Sequence, residues 1–167
     1  MNLSGKAALV TGGAVRVGKA IALALAAAGA DVVINYHSSA DAAIETVAEI
    51  EALGRRALAV KADVSQGTQV QTLVDAAVNQ FGRLDVLVNS ASLWRRTPWA
   101  ELDEAAWDQL VDIALKGPFL CARAAAPHLT AHGDGAIVNI VDLSAIIPFR
   151  NYLPHSAAKA GLVNLTY

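Results

Sequence analysis

The sequence predicts a doubly wound parallel α/β sheet, and three observations predict it. Short apolar runs recur at Ala7–Val10, Asp31–Ile34, Ala57–Val60, Leu84–Val88 and Ala136–Val141. Helical patterns fill every gap between them. Glycine or polar residues cluster directly after each run, where sheets of this class carry their ligands. Runs that are apolar at consecutive positions suit strands covered on both faces, and strands alternating with helices build βαβ units. At 167 residues the chain reads as one domain, 1–167, long enough to bury a core.

The first run stops at Thr11-Gly12-Gly13, and Gly18 precedes a long Ala/Leu/Ile helix. A strand, a glycine turn and a helix N-terminus in succession let backbone N–H groups and the helix dipole hold a phosphate. The spacing G-x-G-x-x-G is not met, because Arg16 stands where a further glycine would be. A cation disfavoured at a helix N-terminus points to an anionic partner. After the second run, Asn35-Tyr36-His37-Ser38 contains no acidic residue of the kind that binds a ribose diol. Small hydroxyls and a histidine there suit a 2′-phosphate, and NADPH is expected over NADH. The next helix is marked by Ile44, Val47, Ala48 and Leu53 and closed by Gly54.

Asp63-Val64 follows the third run. Val70, Leu73, Val74, Ala77, Val78 and Phe81 then form one apolar stripe, with Ser65 placed to cap that helix and Gly82 to end it. Asn89-Ser90-Ala91-Ser92 follows the fourth run, and one long helix is expected over Asp103–Thr130 with Asp103 as its N-cap. Asp142 follows the fifth. A last helix begins near Pro154 and stops at Tyr167 without a cap, which reads as a truncated chain.

Composition narrows the classes. A net charge of -2 leaves no nucleic-acid footprint, and no metal-ligand spacing is present. Cys121 is the only cysteine, which excludes an internal disulfide and fits a reducing compartment. The uncharged stretch Ala20–Ala30 is too short to span a bilayer. It has the flanks of a signal-peptide core, but a strand and a glycine turn precede it, so a cytoplasmic protein is expected.

Taken together, Thr11-Gly12…Gly18, Asp63-Val64, Asn89-x-Ala91, Ile137-Val138-Asn139-Ile140 and Ser156-Ala157-Ala158-Lys159 resemble the short-chain dehydrogenase/reductase family. Its pteridine reductases are matched most specifically, through Thr11, Gly12, Arg16 and Gly18, through Asp142 where most members carry serine, and through Asn89, Ala91, Ser92 and Trp94. The resemblance implies a Rossmann-type domain that lacks the family's C-terminal strands and substrate loop. It also implies an NADPH-dependent reductase of a pterin-like C=N bond or of a carbonyl, in a homodimer or homotetramer. Cofactor contacts would be Gly12, Arg16, Val17, Gly18, Tyr36, His37, Ser38, Asp63, Val64, Asn89, Ala91 and Lys159. Arg16, Trp94 and Asp142 would meet substrate, and Asp142, His155 and Lys159 would be catalytic. Two positions depart from the family. His155 stands where its tyrosine is expected, and Ala114 where its helix asparagine is expected. Three alternatives follow: a pterin reductase, a 3-oxoacyl or carbonyl reductase, or an NADPH-binding protein without turnover.

Overall fold

The computed structural model describes residues 2–167. Five strands, β1 (Ala7–Val10), β2 (Asp31–Tyr36), β3 (Ala57–Lys61), β4 (Val86–Asn89) and β5 (Ala136–Asn139), form one sheet in the order β3-β2-β1-β4-β5. Every neighbouring pair is parallel. The helices are α1 (Arg16–Ala27), α2 (Ala40–Ala52), α3 (Gly67–Phe81), α4 (Glu104–Val111), α5 (Gly117–Thr130) and α6 (Leu153–Leu165). Alternation along the strands divides the core. Ala7, Leu9, Val33 and Leu87 join α3 and α5 on one face, and Ala8, Val10, Val32, Ile34 and Val88 join α1 and α2 on the other. The winding reverses between β1 and β4, so the crevice expected for a ligand opens at their carboxyl ends. No described helix is long and apolar enough to cross a membrane.

Several sequence expectations are corrected. β2 runs two residues further, so Asn35 and Tyr36 pair with Val60 and Lys61 instead of lying in the loop. β5 is not covered on both faces: Ile137 and Val138 are 40% and 45% exposed, whereas β3 at the other edge is mostly half-buried. Helix α2 buries Ala43, Thr46 and Ile50 and turns Ile44 outward; Thr46 takes a core position because its hydroxyl donates to the Ala14 and Ala42 carbonyls. Ser65 caps nothing: its own N–H donates to Asp63 Oδ1, and α3 starts at Gly67 without a side-chain cap. Gly82 does close α3 in the left-handed region, and Asp103 does cap α4 through the Ala106 N–H at 2.8 Å.

The long helix from Asp103 to Thr130 is interrupted by a π-helical turn at Asp112–Lys116. Pro118 supplies the cause. It has no N–H to give to the Ala114 carbonyl four residues back, and its ring crowds that carbonyl, so the helix widens there.

Candidate active site

Thr11 ends β1 and joins it to the loop after β4. It is buried, its N–H donates to the Val88 carbonyl at 2.9 Å, and its Oγ1 accepts from the N–H groups of Ser90 (3.0 Å) and Ala91 (3.1 Å). Asn35 holds the glycine turn from the other side: its Oδ1 accepts from the Gly12 N–H at 3.2 Å and its carbonyl from the Gly13 N–H at 3.0 Å. The first two glycine N–H groups are therefore spent inside the protein. The N–H groups left for an anion are those opening α1, at Arg16, Val17 and Gly18.

Close packing explains the glycines. A Cβ on Gly12 would lie 2.9 Å from Ala91 Cα, and one on Gly18 would lie 2.1 Å from the Gly12 carbonyl oxygen. Arg16 has φ 51°, a left-handed conformation that glycine adopts freely and arginine only at a cost. Its side chain is exposed, as is Val17 beside it.

Further along the same edge of the sheet, Tyr36 ends β2 half-buried, and His37 and Ser38 are exposed. Asp63 is half-buried, with its Oδ1 turned onto the Ser65 N–H. The Val64 side chain belongs to the core and packs against Gly117. Asn89 is buried, donates to Asn139 Oδ1 at 2.8 Å and leaves its own Oδ1 without a partner.

At the end of β5 the structure brings Asp142, His155 and Lys159 together. Asp142 Oδ2 lies 2.8 Å from His155 Nε2, and its Oδ1 accepts from both the N–H (2.8 Å) and the hydroxyl of Ser144. Lys159, one helical turn beyond His155, is 4% exposed and donates from Nζ to the Ile140 carbonyl at 2.7 Å. Burial pushes the Lys159 ammonium pKa down, and the Asp142 charge restores part of it. Burial also pushes the Asp142 pKa up, but hydrogen bonds from Ser144 and His155 outweigh it and hold the carboxyl below its usual range. Trp94 stands over this group, stacked on Tyr152 (ring centroids 4.3 Å apart, planes at 23°) and edge-on to His155 (4.7 Å, 84°). An open cleft of about 630 Å³ lies between Arg96, Thr97, Asp103 and Gln109, and its lining includes neither the glycine turn nor Asp142, His155 and Lys159.

The short chain dehydrogenase profile matches residues 6–167. The chain belongs to that family. It is 40% identical over 164 residues to a 3-oxoacyl-[acyl-carrier-protein] reductase of Synechocystis, covering 98% of this chain and 66% of the relative. A reductase of the same description from Staphylococcus epidermidis is 37% identical, over 96% of this chain and 66% of its own length. A short chain dehydrogenase of Burkholderia cenocepacia, solved in complex with NADP, superposes with a TM-score of 0.94 at 40% identity, covering 99% of this chain and 67% of that one. The chain thus spans about two-thirds of the length of the relatives it matches. These matches support the family and do not single out its pteridine reductases.

Sequence reasoning missed the supports of this site. Thr11, Asn35 and Ser144 hold its loops in place, and Tyr152 backs Trp94. Thr11 was legible as a motif residue and Asn35 as part of the loop after the second run, but the bonds by which they hold the turn were not.

Proposed function

We propose that the protein is an NADPH-dependent reductase that acts on a C=N bond of a pterin-like heterocycle. The observation that carries this reading is a buried ammonium, Lys159, one helical turn from a hydrogen-bonded Asp142–His155 pair at the mouth of a parallel sheet. The residues fit a dinucleotide. Gly12 and Gly18 let the turn pack against Ala91 and against itself ahead of the α1 N-terminus, and the buried Asn89 Oδ1 lacks a protein partner. The N–H groups opening α1 and the Arg16 guanidinium would hold phosphates, Tyr36, His37 and Ser38 the 2′-phosphate side, and Asp63 and the Val64 backbone the adenine. Asn89, Ala91 and Lys159 would flank the nicotinamide ribose.

When bound, NADPH would supply the hydride for the substrate carbon, and one proton would be needed at the nitrogen or oxygen of the reduced bond. On the protein side, Lys159 orients the ribose and lends positive charge, the Asp142–His155 pair manages the proton, and Trp94 offers its half-exposed ring to a flat substrate.

A second reading, reduction of a 3-oxoacyl or other carbonyl substrate, is favoured by the names of the Synechocystis and Staphylococcus relatives. Incubating the protein with NADPH and a panel of dihydropterins, dihydrofolate and ketones, and following NADPH absorbance, decides between them. Faster turnover of the pterins supports the first reading, and faster turnover of the ketones the second. Tight NADPH binding without turnover leaves a cofactor-binding protein. In that last case His155→Tyr, which restores the family's residue, is expected to raise turnover from the background.

A further inference from the structure

The Asp142–His155 pair is asymmetric in a way that decides which member can be reached from solvent. The Asp142 side chain is 39% exposed and that of His155 only 3%. His155 Nε2 is committed to Asp142, and its Nδ1 is enclosed with no partner. The ring edge packs against Trp94. A molecule arriving from solvent therefore meets Asp142, and His155 stands behind it.

The hydrogen bonds also choose a tautomer. A neutral imidazole carries one N–H. With that proton on Nε2, the ring donates to the carboxylate and leaves only a lone pair at Nδ1. With it on Nδ1, a buried donor has no acceptor and two lone pairs face each other across 2.8 Å. A doubly protonated ring keeps the bond to Asp142 but again buries a donor without an acceptor. Positive charge is already present in Lys159, whose ammonium interacts with Asp142. Both donors of Ser144 occupy the other carboxylate oxygen, so Asp142 is held from two sides.

We propose that His155 is a positioning residue and not the group that hands a proton to substrate: as a neutral Nε2–H donor it acts with Ser144 to hold Asp142, whose solvent-exposed carboxylate takes the proton from water and passes it on to the substrate. The inference rests on the reductase reading only in taking the exposed side of Asp142 as the place where substrate sits.

Nitrogen NMR of the chain labelled at its histidine rings tests the tautomer without cofactor or turnover. The enclosed His155 is expected to give the ring signals that a soluble paramagnetic probe leaves sharp. At neutral pH these signals should show a protonated Nε2 and a bare Nδ1. A protonated Nδ1, alone or with Nε2, overturns the proposal. Turnover of His155→Gln, His155→Asn and His155→Leu gives a second reading. The glutamine amide reaches the place of Nε2, so this variant is expected to recover at least tenfold over the leucine variant, and the asparagine variant is not. Equal loss in all three means that a titrating ring is needed and overturns the positioning role. If the unaltered protein reduces nothing, the reductase reading fails while the ring signals still decide the tautomer.

Discussion

Arg16 carries a strain that its neighbours do not relieve. With φ at 51° it occupies a conformation that costs an L-residue roughly 1–2 kcal/mol and glycine almost nothing. Glycine at this position would be the more stable choice for the fold alone. That cost fits the use proposed for its guanidinium as a fork of donors for a phosphate, at a helix start where a cation has no intrahelical reason to be. Arg16→Gly is therefore expected to raise stability by up to about 1 kcal/mol and to weaken NADPH at least tenfold, with a smaller effect on NADH. Paired denaturant melts and cofactor titrations check it; an unchanged NADPH affinity would remove Arg16 from the cofactor site. The arginine was legible in the sequence because it interrupts a glycine pattern. Ser144 was not, because its two bonds to Asp142 depend on how the chain turns after β5. Asp142 and His155 are thirteen positions apart, and their spacing could be counted, but no count shows that Nε2 is used and Nδ1 is shut away.

At the scale of elements, the glycine turn and α1 behave as one unit. A methyl group on Gly18 would sit 2.1 Å from the Gly12 carbonyl oxygen, a backbone atom already tied through the Gly12 N–H to Asn35 and unable to step aside cheaply. Gly18→Ala is expected to cost about 2–3 kcal/mol, the range of overpacking in a tight site, and to lower NADPH affinity with it. A thermal melt close to that of the unaltered protein would show that the turn is softer than its packing implies. The opposite end of the sheet offers a test in pH. Asp85 is buried, accepts from the Ala7 N–H at 2.8 Å and pairs with Arg83 and Lys6. Burial pushes its pKa up, but the Arg83 and Ala7 hydrogen bonds win and hold it below the usual carboxylate range. A carboxyl depressed on folding contributes fully above its unfolded pKa, near ~3.9, and loses that contribution as pH falls through the folded value. Asp85→Asn is expected to cost about 2 kcal/mol at neutral pH, and the gap between the two proteins should close only in strong acid. Elements built on periodicity, such as α3, were legible down to their buried stripe. Helix α2 was misread because Thr46 is polar by type and yet buried through bonds to Ala14 and Ala42.

Across the whole molecule, the sheet is finished on one side and open on the other. β1, β2 and β4 carry core on both faces, whereas β5 and the segment after it leave Ile137, Val138, Leu143, Ile146 and Ile147 at 40% exposure or more. The winding followed from the alternation of runs, but the openness of β5 did not, since its place in the assembled sheet is not a property of the short run Ala136–Asn139. The crevice between β1 and β4 lies in the finished part, so cofactor binding is expected in this chain whatever its substrate. A ligand that binds only the folded state stabilises it by RT ln(1 + [L]/Kd), about 2.7 kcal/mol at a hundredfold excess over Kd. For a domain of this size each kcal/mol moves Tm by roughly 2–4 °C, so NADPH should raise Tm by about 5–10 °C. NADH at the same concentration should raise it less, because no acidic residue follows β2 to hold a free ribose diol, and Arg16→Gly should narrow the difference. A larger shift with NADH would reverse the cofactor assignment. No shift with either nucleotide would mean that the strand-end loops, correctly placed as they are, do not make a cofactor site in this chain.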